Sequence, residues 1–207
     1  MSDTKEKILM TALVLFADKG YEATSMRDIA GLLNISQSAL YKHYSGKRDI
    51  FDCIVRRMEQ NDAEESKKCS MPDTTYDKAP QSYREVDFEA LAAFTENRFC
   101  FWTENEFASR FRRFISLERY RNDEMSRLYS AYFGSGVLDY LEDVFRGMQG
   151  GGAFTDTDAV QLAVEFFAPF YMLMNIYDSS EKKPELSRIL RTHIESFFNT
   201  HTERKKQ

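Results

Sequence analysis

The stretch SQSALYKHY, residues 36–44, concentrates side chains that can hydrogen-bond to a partner molecule. In a helix each residue turns by about 100°, so Leu40 and Tyr44 would lie on one side. The opposite side would display four hydrogen-bonding residues: Gln37, Ser38, Tyr41 and Lys42. Ser36 suits the N-cap, because its hydroxyl can accept a hydrogen bond from an amide of the first turn. The stretch therefore predicts a short helix with one anchored side and one side that displays polar groups.

Two further helices, both N-terminal to this stretch, would position it. The apolar residues of 4–19 recur at helical spacing, and Gly20 is suited to end that helix in a left-handed conformation. Residues 25–28, Ser-Met-Arg-Asp, form a capping box that opens a second helix. Asn34 can end this helix, because asparagine tolerates left-handed backbone better than other non-glycine residues. Two short helices joined by a three-residue turn predict a helix-turn-helix.

The rest of the chain also shows helical patterns. A long helix begins near Lys47, and the polar, proline-containing segment 64–84 is the best candidate for a domain boundary. Residues 86–149 are helical and aromatic up to a run of three glycines. Two more helices follow, an apolar one at 157–178 and an amphipathic one at 185–200. Because no strand pattern occurs, the sequence predicts an all-α fold.

Charge is unevenly distributed along the 207 residues, whose formal net charge is −5. Residues 1–58 hold nine Lys or Arg and seven Asp or Glu, whereas residues 59–207 hold 19 and 26. The whole molecule is therefore not a general polyanion binder, and its N-terminal part is the only plausible nucleic-acid face. The three cysteines are widely spaced, which predicts a reducing, cytoplasmic setting.

Several functional classes find little support in the sequence. The start MSDTKEK leads directly into an amphipathic pattern, which predicts no signal peptide. Glu165, Pro169 and Asn175 interrupt the apolar segment 160–177, which predicts a buried helix and no membrane span. The three histidines are too scattered for a metal site, and no cofactor motif or catalytic signature occurs. An all-helical enzyme is therefore a weak hypothesis.

Residues 8–55, which contain TSMRDIAGLLNISQSALYKHYSGKRDIF, resemble the N-terminal domain of the tetracycline-repressor (TetR) family. Segments such as FRRFISLERYRNDEM and DAVQLAVEFFAPFYMLM are more loosely similar to that family's regulatory half. The resemblance implies a helix-turn-helix DNA-binding domain at 1–48 and a helical effector-binding and dimerisation domain at 49–207. The family more often has glycine where this chain has Asn34 and Ser38, and the second difference bears on base preference.

The polar side of residues 37–42 could enter a DNA major groove, where glutamine pairs well with adenine and lysine with guanine. The predicted base-contact residues are Gln37, Ser38 and Lys42. Ala39 is small enough to approach a thymine methyl group. By resemblance to the family, Tyr41 and Lys47 bind phosphate, and Lys47 stands at a predicted helix N-terminus, where the dipole favours anions. Two residues of the preceding helix could add a phosphate or base contact: Ser25 and Arg27.

Each of these side chains has a structural alternative. Tyr41 could pack on the first helix, Lys42 could be a solvated charge, and Ser25 could be only a helix cap. Tyr44 is predicted in the core, and His43 is predicted as a half-buried packing residue. The context of the whole motif nevertheless favours DNA binding.

One helix-turn-helix reads too few base pairs for useful specificity, so two copies about 34–36 Å apart would read a palindromic operator. The helix at 157–178 is apolar nearly all round, which calls for burial on more than one side. Paired with 185–200 and with the same helices of a second subunit, it would form a four-helix bundle, the usual interface of the TetR family. The alternative is that it forms the middle of a monomeric core.

Aromatic residues between positions 94 and 120 are candidates for a ligand pocket. In the TetR family this region surrounds a small-molecule cavity, and aromatic linings with a few polar groups suit such ligands. The residues predicted to bind an effector are Phe99, Trp102, Phe111, Phe114, Glu118, Tyr171 and Asn175. Aromatic stripes at helical spacing are also typical of a core. Glu118 could instead pair with Arg113 or Arg121, or brace the DNA-binding domain.

The sequence therefore predicts a dimeric DNA-binding transcriptional regulator, a repressor that a small-molecule effector releases from its operator. The effector would shift the helix that begins at Lys47 and so change the spacing of the two DNA-reading helices, one in each subunit. The alternative is a helix-turn-helix regulator that a partner protein controls. A closed cavity in the C-terminal domain would favour the small molecule.

Overall fold

The computed structural model describes residues 3–69, 71–72, 77–152 and 154–202. Within these residues the chain forms eleven α-helices and no β-strand, which confirms the predicted all-α fold. The helices are α1 (Asp3–Lys19), α2 (Met26–Leu32), α3 (Gln37–Tyr41), α4 (Lys47–Ser66), α5 (Pro80–Arg84), α6 (Phe88–Glu104), α7 (Glu106–Glu118), α8 (Asp123–Phe133), α9 (Ser135–Gly150), α10 (Ala159–Tyr177) and α11 (Lys183–His201).

The helices divide between two compact units. The first comprises the described residues of Met1–Glu64 and Glu104–Tyr129, and the second comprises those of Glu65–Thr103 and Ser130–Gln207. The first unit thus contains α7 as well as the three N-terminal helices. The functional domain boundary at residue 48 stays a prediction.

In the first unit, α1 packs on α2 and on α7. The apolar face predicted for α1 is buried, at most 5% exposed at Ile8, Ala12, Leu15 and Phe16. The ring of Phe16 lies 5.3 Å from that of Phe114 on α7, centroid to centroid. Phe51 of α4 meets Phe114 edge-on, with centroids 6.0 Å apart. Because aromatic side chains bury large apolar areas, this cluster holds α1, α4 and α7 together.

Local signals set the ends of the first two helices. Gly20 follows α1 with φ +91°, and Asn34 follows α2 with φ 53°, so both residues adopt the left-handed conformation that their types predict. The capping box before α2 is also confirmed. The Ser25 hydroxyl accepts from the Asp28 N–H, and the Asp28 carboxylate accepts from the Ser25 N–H.

Helix α3 is shorter than the sequence predicts, because it ends at Tyr41 rather than near residue 44. The N–H groups of His43 and Tyr44 both donate to Leu40 O, which tightens the chain into a turn. Tyr44 points inward, 1% exposed, and its hydroxyl donates to Lys5 O at 3.1 Å. Burial raises the pKa of this hydroxyl above its usual value. The anchored side of the stretch is as predicted, since Leu40 and Tyr44 are both buried.

In the second unit, α10 packs on α9 and α11, and α5 packs on α9. The close approach of α5 and α9 occurs at Gly147, where an added Cβ would collide with Tyr83. The centre of this unit is aromatic, and the ring of Phe145 lies 5.4–5.5 Å from three others: Phe154, Phe166 and Phe197. Edge-on and tilted arrangements of this kind are those that aromatic side chains favour in a packed core.

The region 86–149, predicted as helical, consists of four helices, α6 to α9, and the last ends at the predicted glycine run. The segment 64–84, predicted as a connector, contains the end of α4 and the short helix α5. Residues 70 and 73–76 of that segment lie outside the described residues.

Helix α10 is long and apolar enough to cross a membrane by length and composition alone, with a mean hydropathy of 1.4. Within the single chain, 33% of that apolar window is buried. The inward side includes Phe166, Phe170 and Met174, whereas Met172 and Ile176 are exposed. The burial predicted on more than one side is therefore present on one side only in the single chain.

Candidate functional site

The polar side of α3 is exposed and its apolar side is buried. The exposed residues are Gln37, Ser38, Tyr41 and Lys42. Tyr41 is 51% exposed, which leaves it accessible to a partner, and Ala39 is half-buried. Leu40, on the other side, is completely buried. A side chain anchored in the core fixes the position of the helix, so the polar residues project from a rigid base.

The hydroxyls of Ser36 and Ser38 lie 2.9 Å apart and hydrogen-bond to each other. Ser36 is also the N-cap of α3, because its Oγ accepts from the Ala39 N–H at 3.1 Å. A serine hydroxyl has one proton to donate and two acceptor sites. The orientation of the Ser38 hydroxyl is therefore tied to the cap at the start of α3.

Ser25 donates both its backbone N–H and its hydroxyl proton within its capping box. Its N–H donates to Asp28 Oδ2 at 2.8 Å, and its hydroxyl donates to the same oxygen at 2.5 Å. These hydrogen bonds lower the pKa of the Asp28 carboxyl below its usual range. A phosphate oxygen would have to displace Asp28 to receive a proton from Ser25, so the cap is the role that these contacts describe. Arg27, in the first turn of α2, is exposed.

Lys47 begins α4 and reaches back to the loop between α1 and α2. Its ammonium donates to Tyr21 O at 2.7 Å and lies 4.2 Å from the centre of the Tyr21 ring. The carboxylate of Glu22 is 3.7 Å away. Lys47 thus ties the start of α4 to this loop, and its phosphate contact stays a prediction.

Tyr21, which no motif in the sequence marks, is held by two different helices. Its N–H donates to Glu118 Oε1 of α7 at 3.1 Å, and its carbonyl accepts from Lys47. Its ring packs against Phe16 and Phe51, with centroids 5.1 and 5.7 Å away. Burial raises the pKa of its hydroxyl. The one available signal in the sequence was an aromatic residue directly after a helix-ending glycine.

Glu118 is a buried acidic residue with a structural role in the first unit. Its side chain is 4% exposed and lies 3.7 Å from the guanidinium of Arg121. The carboxylate fills the space beside Gly20, where an added Cβ would collide with it. Of the alternatives for Glu118, these contacts describe both the pairing with Arg121 and the bracing of the helix-turn-helix. Effector binding by Glu118 stays a prediction.

A second link within the first unit joins α4 to α8. Arg48 donates two hydrogen bonds to the carboxylate of Glu124, at 2.7 and 2.8 Å, and a third to Asp52 at 2.8 Å. The hydrogen bonds from Arg48 lower the pKa of the Glu124 carboxyl. Paired, bidentate contacts of this kind fix geometry as well as charge, so they orient α4 against α8.

The seven residues predicted to bind an effector fall in both units. Three lie in the first unit and four in the second: Phe111, Phe114 and Glu118, then Phe99, Trp102, Tyr171 and Asn175. Phe99 meets the rings of Phe170 and Tyr177 edge-on, with centroids 5.6 and 5.7 Å apart. Trp102 meets Phe133 edge-on at 4.6 Å. These are ring-packing contacts, and effector binding by these residues stays a prediction.

Helix α10 carries a stripe of exposed apolar side chains at helical spacing. They are 40–64% exposed: Val160, Val164, Met172 and Ile176. Asn175 is also exposed, and its amide donates to Tyr171 O at 2.6 Å. On α11 an open groove of about 470 Å³ is lined by Arg188, Ile189, Thr192, His193 and Ser196. Exposed apolar patches of this kind mark surfaces that bind other molecules.

Comparison with known proteins bears first on the N-terminal residues. Residues 8–54 match the family model for bacterial regulatory proteins of the tetR family. Over 52 residues, the chain is 40% identical to the biofilm operon icaADBC HTH-type negative transcriptional regulator IcaR of Staphylococcus aureus, strain Newman. That alignment covers 25% of this chain and 28% of IcaR, so the match spans little more than a quarter of the length of these curated relatives.

Solved structures resemble the chain over nearly its whole length. A TetR family transcriptional regulator from Pseudomonas syringae pv. tomato is 18% identical with a TM-score of 0.63, over 99% of this chain and 100% of that one. SmeT in complex with triclosan is 19% identical with a TM-score of 0.65, over 98% of this chain and 93% of SmeT. SmeT is the repressor of the Stenotrophomonas maltophilia multidrug efflux pump SmeDEF. The chain therefore contains a domain of the tetR family at residues 8–54, and over nearly its whole length it shares the fold of these solved regulators.

Proposed function

We propose that this chain is a cytoplasmic transcriptional repressor that binds a palindromic operator as a homodimer and leaves it when a small-molecule effector binds. The observation that carries the proposal is the exposed polar side of α3, anchored by Leu40 and Tyr44 in a region that matches the tetR family model. IcaR, which is similar over the same region, is a negative transcriptional regulator. Binding and release of DNA require no catalysis, so we propose no enzymatic activity.

The exposed residues of α3 would read bases, and their neighbours would hold the DNA backbone. Base edges in the major groove would be contacted by Gln37, Ser38 and Lys42, with Ala39 against a thymine methyl group. Phosphates would be contacted by Tyr41, Lys47 and Arg27, and by Ser25 once its hydroxyl leaves Asp28. Base contacts supply sequence specificity, whereas phosphate contacts set register and affinity. Changes in the two groups should therefore have different signatures.

The homodimer would form through α10 and α11. The exposed apolar stripe on α10 and the groove on α11 support this proposal, because the single chain leaves both surfaces open. Joined to the same helices of a second subunit, they would form a four-helix bundle. Two copies of α3 held about 34–36 Å apart would then meet successive major grooves.

The effector would act by changing the spacing of the two copies of α3, one in each subunit. Within the first unit, α4 is tied both to the loop after α1 and to α8, so a shift of α4 would move the helix-turn-helix with it. A nearly complete switch requires that the effector favour the non-binding state by about 5.5 kcal/mol. The complex of SmeT with triclosan, in a similar fold, supports a small molecule over a partner protein as the controlling ligand.

Selection of DNA sequences from a random duplex pool by the purified chain tests the proposed function. The wild-type protein should enrich a palindrome, and Gln37→Ala should relax specificity at one position in each half-site, because the lost bonds go to one base. The matched control is Gln60→Ala, an exposed glutamine on α4, which should leave the selected sequence unchanged. Failure of the wild type to enrich any sequence would contradict the proposal.

A further inference from the structure

We propose that Ser36 is a positioning residue that fixes the hydrogen-bond polarity of Ser38. Ser38 then offers a donor to the DNA and selects a keto base, guanine or thymine, at one position of each operator half-site. The inference rests on the proposed DNA-binding function and specifies how one of its residues reads a base. It comes from the hydroxyl pair at the start of α3, which links the cap of the helix to its exposed surface.

The direction of this hydrogen-bond chain is set at its backbone end, the Ala39 N–H. The Ala39 N–H lies in the first turn of α3 and is shared between two acceptors of the N-cap residue, Ser36 Oγ at 3.1 Å and Ser36 O at 3.1 Å. A backbone amide can only donate, so this bond cannot reverse. Ser36 Oγ keeps one acceptor site and its own proton for the contact with Ser38 Oγ at 2.9 Å.

Two arrangements satisfy the contact between the hydroxyls. If Ser36 donates to Ser38, three groups form a chain that runs one way, from Ala39 through Ser36 to Ser38. If Ser38 donates instead, Ser36 Oγ accepts twice and no continuous chain forms. Hydrogen bonds that run in one direction polarise and strengthen one another, which favours the first arrangement. In that arrangement Ser38 keeps its proton for an acceptor outside the protein.

A donor at this position distinguishes keto bases from amino bases. In the major groove guanine and thymine present the acceptors O6 and O4, whereas adenine and cytosine present amino donors at the corresponding places. The discrimination applies where Ser38 faces this position, since the N7 acceptor is common to both purines. A free serine hydroxyl rotates and serves either kind of base. Ser38, exposed beside Gln37, would lose that tolerance, because its hydroxyl accepts from Ser36 and is left to act as a donor toward the DNA. One directed hydrogen bond corresponds to a preference of about threefold to tenfold.

Replacements of Ser36 separate this role from helix capping. Ser36→Thr keeps both the cap and the proton, so the keto preference should stay. Ser36→Gly is tolerated at an N-cap but removes the hydroxyl, so Ser38 should become indifferent. Ser36→Asp caps well but only accepts, so Ser38 must donate to it and presents lone pairs to the DNA. This variant should prefer an amino base at the same position.

The experiment uses the full chain and the operator that the wild type selects from random duplexes. Affinities are measured for duplexes that differ only at the position affected by Ser38→Ala, in the wild type and in each Ser36 variant. A ratio of affinities cancels the uniform weakening that the negative charge of Ser36→Asp causes. We expect a keto preference of about threefold to tenfold for wild type and Ser36→Thr, none for Ser36→Gly, and reversal for Ser36→Asp. Adding Ser38→Ala should abolish every preference.

Retention of the wild-type preference in Ser36→Asp would overturn the inference, because Ser36 would then be only a cap. If Ser36→Asp binds no duplex, Ser36→Gly decides, and an unchanged keto preference in that variant overturns the inference. An unchanged sequence preference in Ser38→Ala also overturns it. A wild type that enriches no sequence contradicts the proposed function itself, whereas a specific wild type with an inert Ser36 series contradicts only this inference.

Discussion

At the scale of single residues, the contacts of Tyr21 explain how the loop after α1 is held. Both backbone polar groups of this residue are bonded to side chains, the N–H to Glu118 of α7 and the carbonyl to Lys47 of α4. A polar group that loses its partner in a buried setting costs more than a typical hydrogen bond contributes. The position of this loop, and of α2 after it, therefore depends on residues far away in the chain.

Glu118→Ala should lower the free energy of unfolding by about 1.5–3 kcal/mol, because it removes a charged acceptor and leaves the Tyr21 N–H unpaired. Urea unfolding of the purified protein measures this change. The matched control on the same helix is Glu106→Ala, whose carboxylate is 70% exposed and pairs with Arg110 in the next turn. That change should cost less than about 0.5 kcal/mol. Equal, small effects of the two substitutions would show that Glu118 does not brace the loop.

At the scale of elements, the helix-turn-helix depends on a single left-handed residue between its two helices. Asn34 has φ 53°, and its N–H donates to Gly31 O at 3.2 Å as α2 ends. This conformation reverses the chain quickly enough for Ser36 to cap α3 two residues later. The turn thus sets the angle at which α3 leaves the rest of the domain.

Substitutions of Asn34 should follow the cost of left-handed backbone. Asn34→Ala should destabilise the protein by about 1 kcal/mol, because the Cβ of alanine disfavours left-handed backbone and alanine lacks the polar side chain that helps asparagine adopt it. Asn34→Gly should stay within about 0.5 kcal/mol of wild type. Thermal unfolding measures both variants, and the glycine variant is the control for loss of the side chain alone. If alanine were as well tolerated as glycine, the left-handed geometry of this turn would be wrong.

At the scale of the whole molecule, the apolar stripe on α10 sets the expected assembly. Its side chains carry no partner within the described residues that would bury them, and Met172 is 64% exposed. Removing apolar surface from water contributes about 25 cal/mol per Å², so a second copy of the chain would gain from covering it. In the proposed function DNA binding would be coupled to this step, because two linked copies of α3 would bind far more tightly than one.

Met172→Glu should convert the dimer to a monomer without unfolding it, because the new charge is solvated in the single chain but buried in the dimer. Sedimentation measures the assembly, and affinity for the selected operator should fall by about a hundredfold. Leu117→Glu, at an exposed apolar residue of α7 (38% exposed), is the control and should leave assembly unchanged. A dimer that survives Met172→Glu would show that the subunits meet elsewhere.

Much of the local structure was predictable from the sequence. Gly20 and Asn34 end their helices in left-handed conformations, and Ser25 and Ser36 cap the helices that follow. Each of these signals involves residues within a few positions of one another, so chain geometry and hydrogen bonding decide them without knowledge of the fold. Periodicity likewise predicted that Leu40 would anchor α3, and the TetR resemblance predicted the DNA-binding domain around it.

Only the tertiary structure decided which distant residues meet. Tyr21 and Glu118 are 97 positions apart, and Arg48 and Glu124 are 76 positions apart. No sequence motif predicts either contact. The same holds for the early end of α3, which follows from the burial of Tyr44 against α1. Helix signals are local, whereas the partners of side chains depend on packing between helices. The sequence by itself therefore determined the helices, and only the tertiary structure determined how they are joined.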